Sequence, residues 1–108
     1  MKIKPGVIVD GLQAPMWEAC AVIDRVYLEH LHKEATLTSG LDGEHKPASG
    51  RVSLHYSGNA GDFRTRGIPE NLLVIIWNQI KIKLKAINPA YQFRREETHW
   101  HVEFDQAG

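Results

Sequence analysis

Apolar residues recur every three or four positions from Pro15 to about Lys33, where Trp17, Cys20, Ala21, Val26, Tyr27 and Leu31 fall on one side of a helix. Pro15 suits the first turn, because its ring presets the helical φ and its missing N–H would find no partner there. His30 and His32 fall on the polar, solvated side. A second stretch from about Glu70 to Ile87 repeats the pattern with Leu72, Leu73, Ile76, Trp77, Ile80 and Leu84. Pro69 opens it, and Asn88-Pro89 stops it because the residue before a proline is pushed out of the helical region. Elsewhere the period shortens to two. Leu37-Thr38-Ser39-Gly40 reads as a short strand ending at a turn, and Ala60 to Arg66 as another. Tyr91 to Arg95 and His99 to Asp105 form the last two strands, joined as a hairpin through Glu96-Glu97. Between Leu41 and Gly50, glycines with Pro47 and Ser49 mark a loop. The pattern predicts an α+β domain, with two main helices packed on one face of a small antiparallel sheet.

Composition narrows the function classes. At 108 residues the chain is one domain with room for a real but small core. The formal net charge is zero, so no electrostatic footprint points to nucleic acid or to an anionic membrane. The one basic run, Lys81 to Lys85, alternates with apolar residues and reads as the wet side of a helix. Cys20 is the single cysteine, which excludes an internal disulfide and a cysteine zinc knuckle. Its apolar helical setting reads as a buried, inert thiol. No signal peptide or membrane span is visible, so synthesis in a reducing cytoplasm is expected, with no membrane partner.

The strands place the polar residues. Neighbouring side chains in a strand alternate faces, so Glu97, His99, His101 and Glu103 share one face and Trp100, Val102 and Phe104 the other. The same alternation sets Asp62 and Arg64 opposite Phe63. Zinc that does chemistry takes three protein ligands from His and carboxylate and leaves a fourth position for water. His55, Asp62 and His101 supply such a set from two short stretches, Ser53 to Asp62 and Thr98 to Glu103. Alone, His99-x-His101 fits a solvated edge strand equally well. Joined to His55 and Asp62 among glycines, it favours a metal centre.

Ser53-x-His55-x-x-Gly58-x-Ala60-x-Asp62, followed downstream by His99-x-His101, resembles the zinc D,D-peptidases of cell-wall metabolism. These comprise D-alanyl-D-alanine carboxypeptidases, murein endopeptidases and phage endolysin peptidases, whose fold is shared with the hedgehog signalling domain. Thr38-Ser39-Gly40 matches the strand that leads into that family's active site. The resemblance spans roughly residues 35 to 105. It implies a hedgehog-like fold, a Zn2+ cofactor on His55, Asp62 and His101, and peptidoglycan stem peptides or crosslinks as substrate. His99 would stand beside the attacking water. Members use a histidine or an acid as base, and Thr98 occupies the position, three before His101, where some carry the acid. That departure moves the base to His99, with Glu97 or Glu96 either as proton-sharing partner or as part of a solvated turn.

A second departure concerns the substrate. Many members place an arginine after the Thr-Ser-Gly strand to bind a terminal carboxylate, but Leu41-Asp42 stands there in this chain. Arg51, Arg64 and Arg66 are either substitutes or surface residues, so an endopeptidase is favoured over a strict carboxypeptidase. Asp42 and His45 lie in the loop entering the cleft, while Ser53 and Tyr56 flank a ligand and can hydrogen-bond around it. With no leader or wall-binding domain in view, the resemblance suggests a phage or prophage lytic enzyme delivered with a virion or through a holin. Two alternatives stand beside it: a non-catalytic hedgehog-like zinc-containing binding domain, and an amidase acting on another small amide.

Overall fold

The computed structural model describes residues 1–41 and 58–105. Its elements are β1 (Lys2–Ile3), α1 (Ala14–Leu31), β2 (Thr36–Ser39), β3 (Ala60–Arg64), α2 (Glu70–Ile87), β4 (Tyr91–Arg95) and β5 (His99–Phe104). The strands form one sheet in the order β1-β2-β3-β5-β4. The α+β class agrees with the sequence. The sheet is mixed rather than wholly antiparallel, because β1 pairs with β2 in parallel. That strand has only two residues, both exposed, so it carries no period to read. The other pairings are antiparallel, and β4 and β5 form the expected hairpin.

The core lies between the helices and one face of the sheet. Leu37, Phe63, Tyr91, Phe93, Trp100 and Val102 join Ile23, Val26, Ile76, Ile80 and Leu84 in a single buried cluster. Each such aliphatic side chain, fully buried, contributes about 1.5–3 kcal/mol relative to exposure. Helix α2 has the expected bounds, with Ile76, Ile80 and Leu84 fully buried and Leu72, Leu73 and Trp77 packed at the margin. Lys81 and Lys83 are exposed as expected, and the Lys81 ammonium lies 4.7 Å from the Trp77 ring centre.

Helix α1 buries Cys20, Val26 and Tyr27 as expected and packs Leu31 on the core, but two positions differ. Its buried stripe is Met16, Ala19, Cys20, Ile23, Val26 and Tyr27. Trp17, expected inside, is 44% exposed, and Ala21 is exposed as well. The three-and-four spacing through 16, 20, 23 and 27 holds more apolar bulk, so positions 17 and 21 fall outside it. His30 is also corrected: it is half-buried and bonds Gln79 of α2 at 2.9 Å, tying the two helices together. His32 is exposed and caps α1 in the left-handed conformation. Among the described residues no helix is long and apolar enough to cross a membrane.

Two glycines of the motif region have steric causes. Gly58 has φ +80°, and a Cβ there would come within 2.1 Å of the Gly11 carbonyl oxygen. Gln13 N–H bonds the Gly58 carbonyl at 2.9 Å, so the entry to β3 is laced to the start of α1. Gly40, at the end of the Thr-Ser-Gly strand, would place a Cβ 2.4 Å from the Ile8 carbonyl oxygen. Only residues without a side chain allow these approaches.

One buried hydrogen-bond chain crosses the core. Trp100 Nε1–H donates to the Tyr27 hydroxyl at 2.9 Å, and that hydroxyl donates to the Arg64 carbonyl at 2.7 Å. It joins β5, α1 and the end of β3. Tyr27→Phe strands the buried indole N–H, and a loss of about 1–3 kcal/mol is expected. Urea unfolding should show a lower midpoint with an unchanged slope; an unchanged midpoint would refute the chain's role.

Burial, and secondarily the charge of Asp24, pushes the Cys20 thiol up to about 12. The folded protein should therefore resist a thiol-specific disulfide reagent at pH 8, with modification following unfolding. Rapid reaction of the native protein would contradict the burial.

Candidate metal and catalytic site

The β3–β5 register sets Asp62 opposite His101 and Arg64 opposite His99. The core takes Phe63, Trp100 and Val102 on the other face, so Asp62, His99, His101 and Glu103 share the solvent side, as the alternation predicts. Asp62 and His101 side chains are only 14% and 12% exposed, and His99 32%. His101 Nδ1 is 2.8 Å from Asp62 Oδ1, and its Nε2 is 3.0 Å from Glu103 Oε1. His99 Nε2 lies 3.7 Å from the same Asp62 oxygen. Thr98 Oγ1 lies 3.2 Å from His99 Nδ1, and Thr38 Oγ1 donates to the Asp62 carbonyl at 3.3 Å. Arg94, opposite His101 on β4, reaches Glu103 Oε1 with Nη2 at 3.3 Å. The result is a line of alternating charge: Asp62, His101, Glu103, Arg94.

Burial of the His101 ring works against its charge, but the hydrogen bond and charge of Asp62, joined by the hydrogen bond to Glu103, outweigh it. Arg94 opposes them weakly, and the pKa stands above the ordinary 6.5. Both carboxylates accept, and only the doubly protonated ring donates to both at once.

Imidazole and carboxylate are donor types that zinc takes. Zn–N and Zn–O bonds of about 2.0–2.2 Å at a tetrahedral angle put ligand atoms roughly 3.4 Å apart. His101 Nδ1 and Asp62 Oδ1, at 2.8 Å, stand closer than that, at hydrogen-bonding distance. Among the described residues no group of three or more His, Cys, Asp or Glu side chains forms a complete ligand set. Two of the expected ligands, Asp62 and His101, are brought together. The third, His55, lies outside the described residues, as do Asp42, His45, Arg51, Ser53 and Tyr56.

Beside this pair runs an open cleft lined by Thr38, Ser39, Asp62, Arg64, Glu97 and His99. Arg64, expected near the substrate, is half-buried on its wall. Glu97 lies in the β4–β5 turn rather than on a strand, and it is exposed. It still borders the cleft with His99. Sequence reasoning put Glu103 on the right face but gave it no role. Arg94 was missed because its place beside Glu103 follows from strand pairing. No family model, curated protein or solved structure matches this chain.

A group whose folded pKa is raised stabilises below its unfolded pKa and loses that contribution as pH rises through the folded value. In chelator-treated protein His101 should titrate above 6.5, as read by histidine NMR. Asp62→Asn should lower its pKa, because burial then acts with less opposition. An unshifted titration in that variant would break the assigned pair.

Proposed function

We propose that this chain is a zinc-dependent peptidase hydrolysing peptide bonds in peptidoglycan stem peptides or crosslinks. The observation that carries this reading is the Asp62–His101 pair at 2.8 Å with His99 beside it, bordering an open cleft. Asp62 and His101, with His55, would hold the ion. A bound zinc supplies a Lewis acid for the scissile carbonyl and brings the pKa of water to about 7.

The rest of the chemistry belongs to the chain. His99 carries the base's role: Thr98 faces its Nδ1, leaving Nε2 on the Asp62 side to accept the water's proton and return it to the leaving amine. The threonine that replaces the family's acid thus has a use as the partner that orients His99. Glu103 holds the far nitrogen of His101, the carboxylate–histidine arrangement that fixes a metal ligand's ring. Arg64 and Glu97 edge the cleft where a peptide would lie. With no arginine following Thr38-Ser39-Gly40, an internal bond is the favoured target over a terminal one.

The purified protein should carry about one zinc per chain, and Asp62→Ala, His101→Ala and His55→Ala should each remove most of it, since too few ligands remain. His99→Ala should keep its zinc yet lose about 10²–10⁴ of the hydrolysis rate. Elemental analysis and mass spectrometry of digested peptidoglycan are the readouts. Loss of zinc in His99→Ala would make His99 a ligand. A zinc-loaded protein that leaves peptidoglycan intact would sink the peptidase reading in favour of the non-catalytic binding domain.

A further inference from the structure

The cations of this chain are unevenly placed. Its formal net charge is zero, yet Lys2, Lys33, Arg64 and Arg66 line one pocket of about 280 Å³ with Tyr27, Glu34 and Thr36. The pocket lies where β1, β2 and the end of β3 meet. Lys2 is level with Thr36 in the parallel pair, and Arg64 is the last residue of β3. Lys33 follows α1, and its Nζ would come 3.3 Å from a Cβ on Gly67, so the turn after β3 closes over it. The Tyr27 hydroxyl, donating to the Arg64 carbonyl at 2.7 Å, fixes this corner to the core.

Lys2, Lys33 and Arg66 are exposed and Arg64 is half-buried, so water screens part of their mutual repulsion, and the pocket offers little else to offset it. Its one carboxylate, Glu34, faces the Met1 amino group at 3.4 Å. Among the described residues no ion pair joins Lys2, Lys33, Arg64 or Arg66 to a carboxylate. An anion seated there would relieve the repulsion. Arg64 and Arg66 would offer planar forks that suit an oxyanion, and the lysines would add point charges.

The neighbourhood identifies what would carry that anion. Arg64 and Arg66 also line the cleft that holds Asp62 and His99, so pocket and cleft share a wall. Arg64 is two positions along β3 from Asp62, roughly 7 Å in an extended strand. The pocket has room for a side group, and a longer ligand would run along the shared wall into the cleft. We propose that this basic pocket receives a side-chain carboxylate of an acidic peptide whose backbone lies in the adjoining cleft. That the peptide is a substrate rests on the proposed peptidase function; the carboxylate preference does not.

The test uses the full zinc-loaded chain and two fluorescein-labelled pentapeptides with amidated C-termini, one with an internal glutamate and one with glutamine in its place. Fluorescence anisotropy at low salt should show the glutamate peptide binding about tenfold tighter, as charge-assisted pairing at a partly exposed site allows. The preference should shrink as salt rises. It should vanish in Lys33→Gln/Arg66→Gln, with zinc content and the thermal melt unchanged. Equal affinity for both peptides, or a preference untouched by the double variant, would overturn the proposal. So would a single-stranded oligonucleotide or inorganic phosphate that binds the pocket more tightly than the glutamate peptide, because the site would then be one for phosphate. If the peptidase reading fails, peptidoglycan stays intact while the glutamate preference remains, so the two failures are separable.

Discussion

The polar row on the open face of the sheet depends on the pairing of β3 with β5. Asp62 and His101 are 39 positions apart in the chain and meet only because those strands align them as partners. A slip of β5 by one residue would turn His101 into the core and push Trp100 into water. The penalty would fall twice, on exposed aromatic area and on buried polar groups left without partners. The hydrogen-bond chain from Trp100 through Tyr27 to the Arg64 backbone guards against the slip. The apolar side of the sheet thus sets the geometry of its polar side.

On that polar side the groups work as an ordered row. His101 stands between Asp62 and Glu103, and Arg94 closes the row beyond Glu103. Glu103 is placed to keep a proton on Nε2, which leaves Nδ1 on the Asp62 side as the ligating nitrogen in the proposed site. Without the metal the same two carboxylates favour the charged ring. In the proposed site proton and zinc would compete for one imidazole, and acid would favour the proton.

Much of this was legible in the residues themselves. Both helices, all four expected strands to within two residues, and the shared face of Asp62, His99 and His101 follow from periods of 3.6 and 2, which local spacing records well. Three features escaped. Strand β1 is too short to have a period. The inner stripe of α1 turned on whether Met16 and Ile23 or Trp17 and Ala21 join Cys20, Val26 and Tyr27, and aromatic bulk alone pointed the wrong way. The place of Arg94 beside Glu103 depends on the register of the β4–β5 hairpin, which no local pattern encodes. The basic pocket is of the same kind, since Lys2, Lys33 and Arg66 are distant in sequence and meet only at the sheet's corner.

The strand order carries a last consequence, for how this protein coexists with copies of itself. Its outermost strands are β1 and β4. An open edge offers unpaired amides and carbonyls to any neighbouring chain, which is the usual start of amyloid-like stacking. Here one border is only two residues long and carries Lys2, and the other presents Arg94 and Arg95. A strand approaching either side meets positive charge before it meets backbone. Strands β3 and β5, which carry Asp62 and His101, are kept inside, between a two-residue margin and one that bears two arginines.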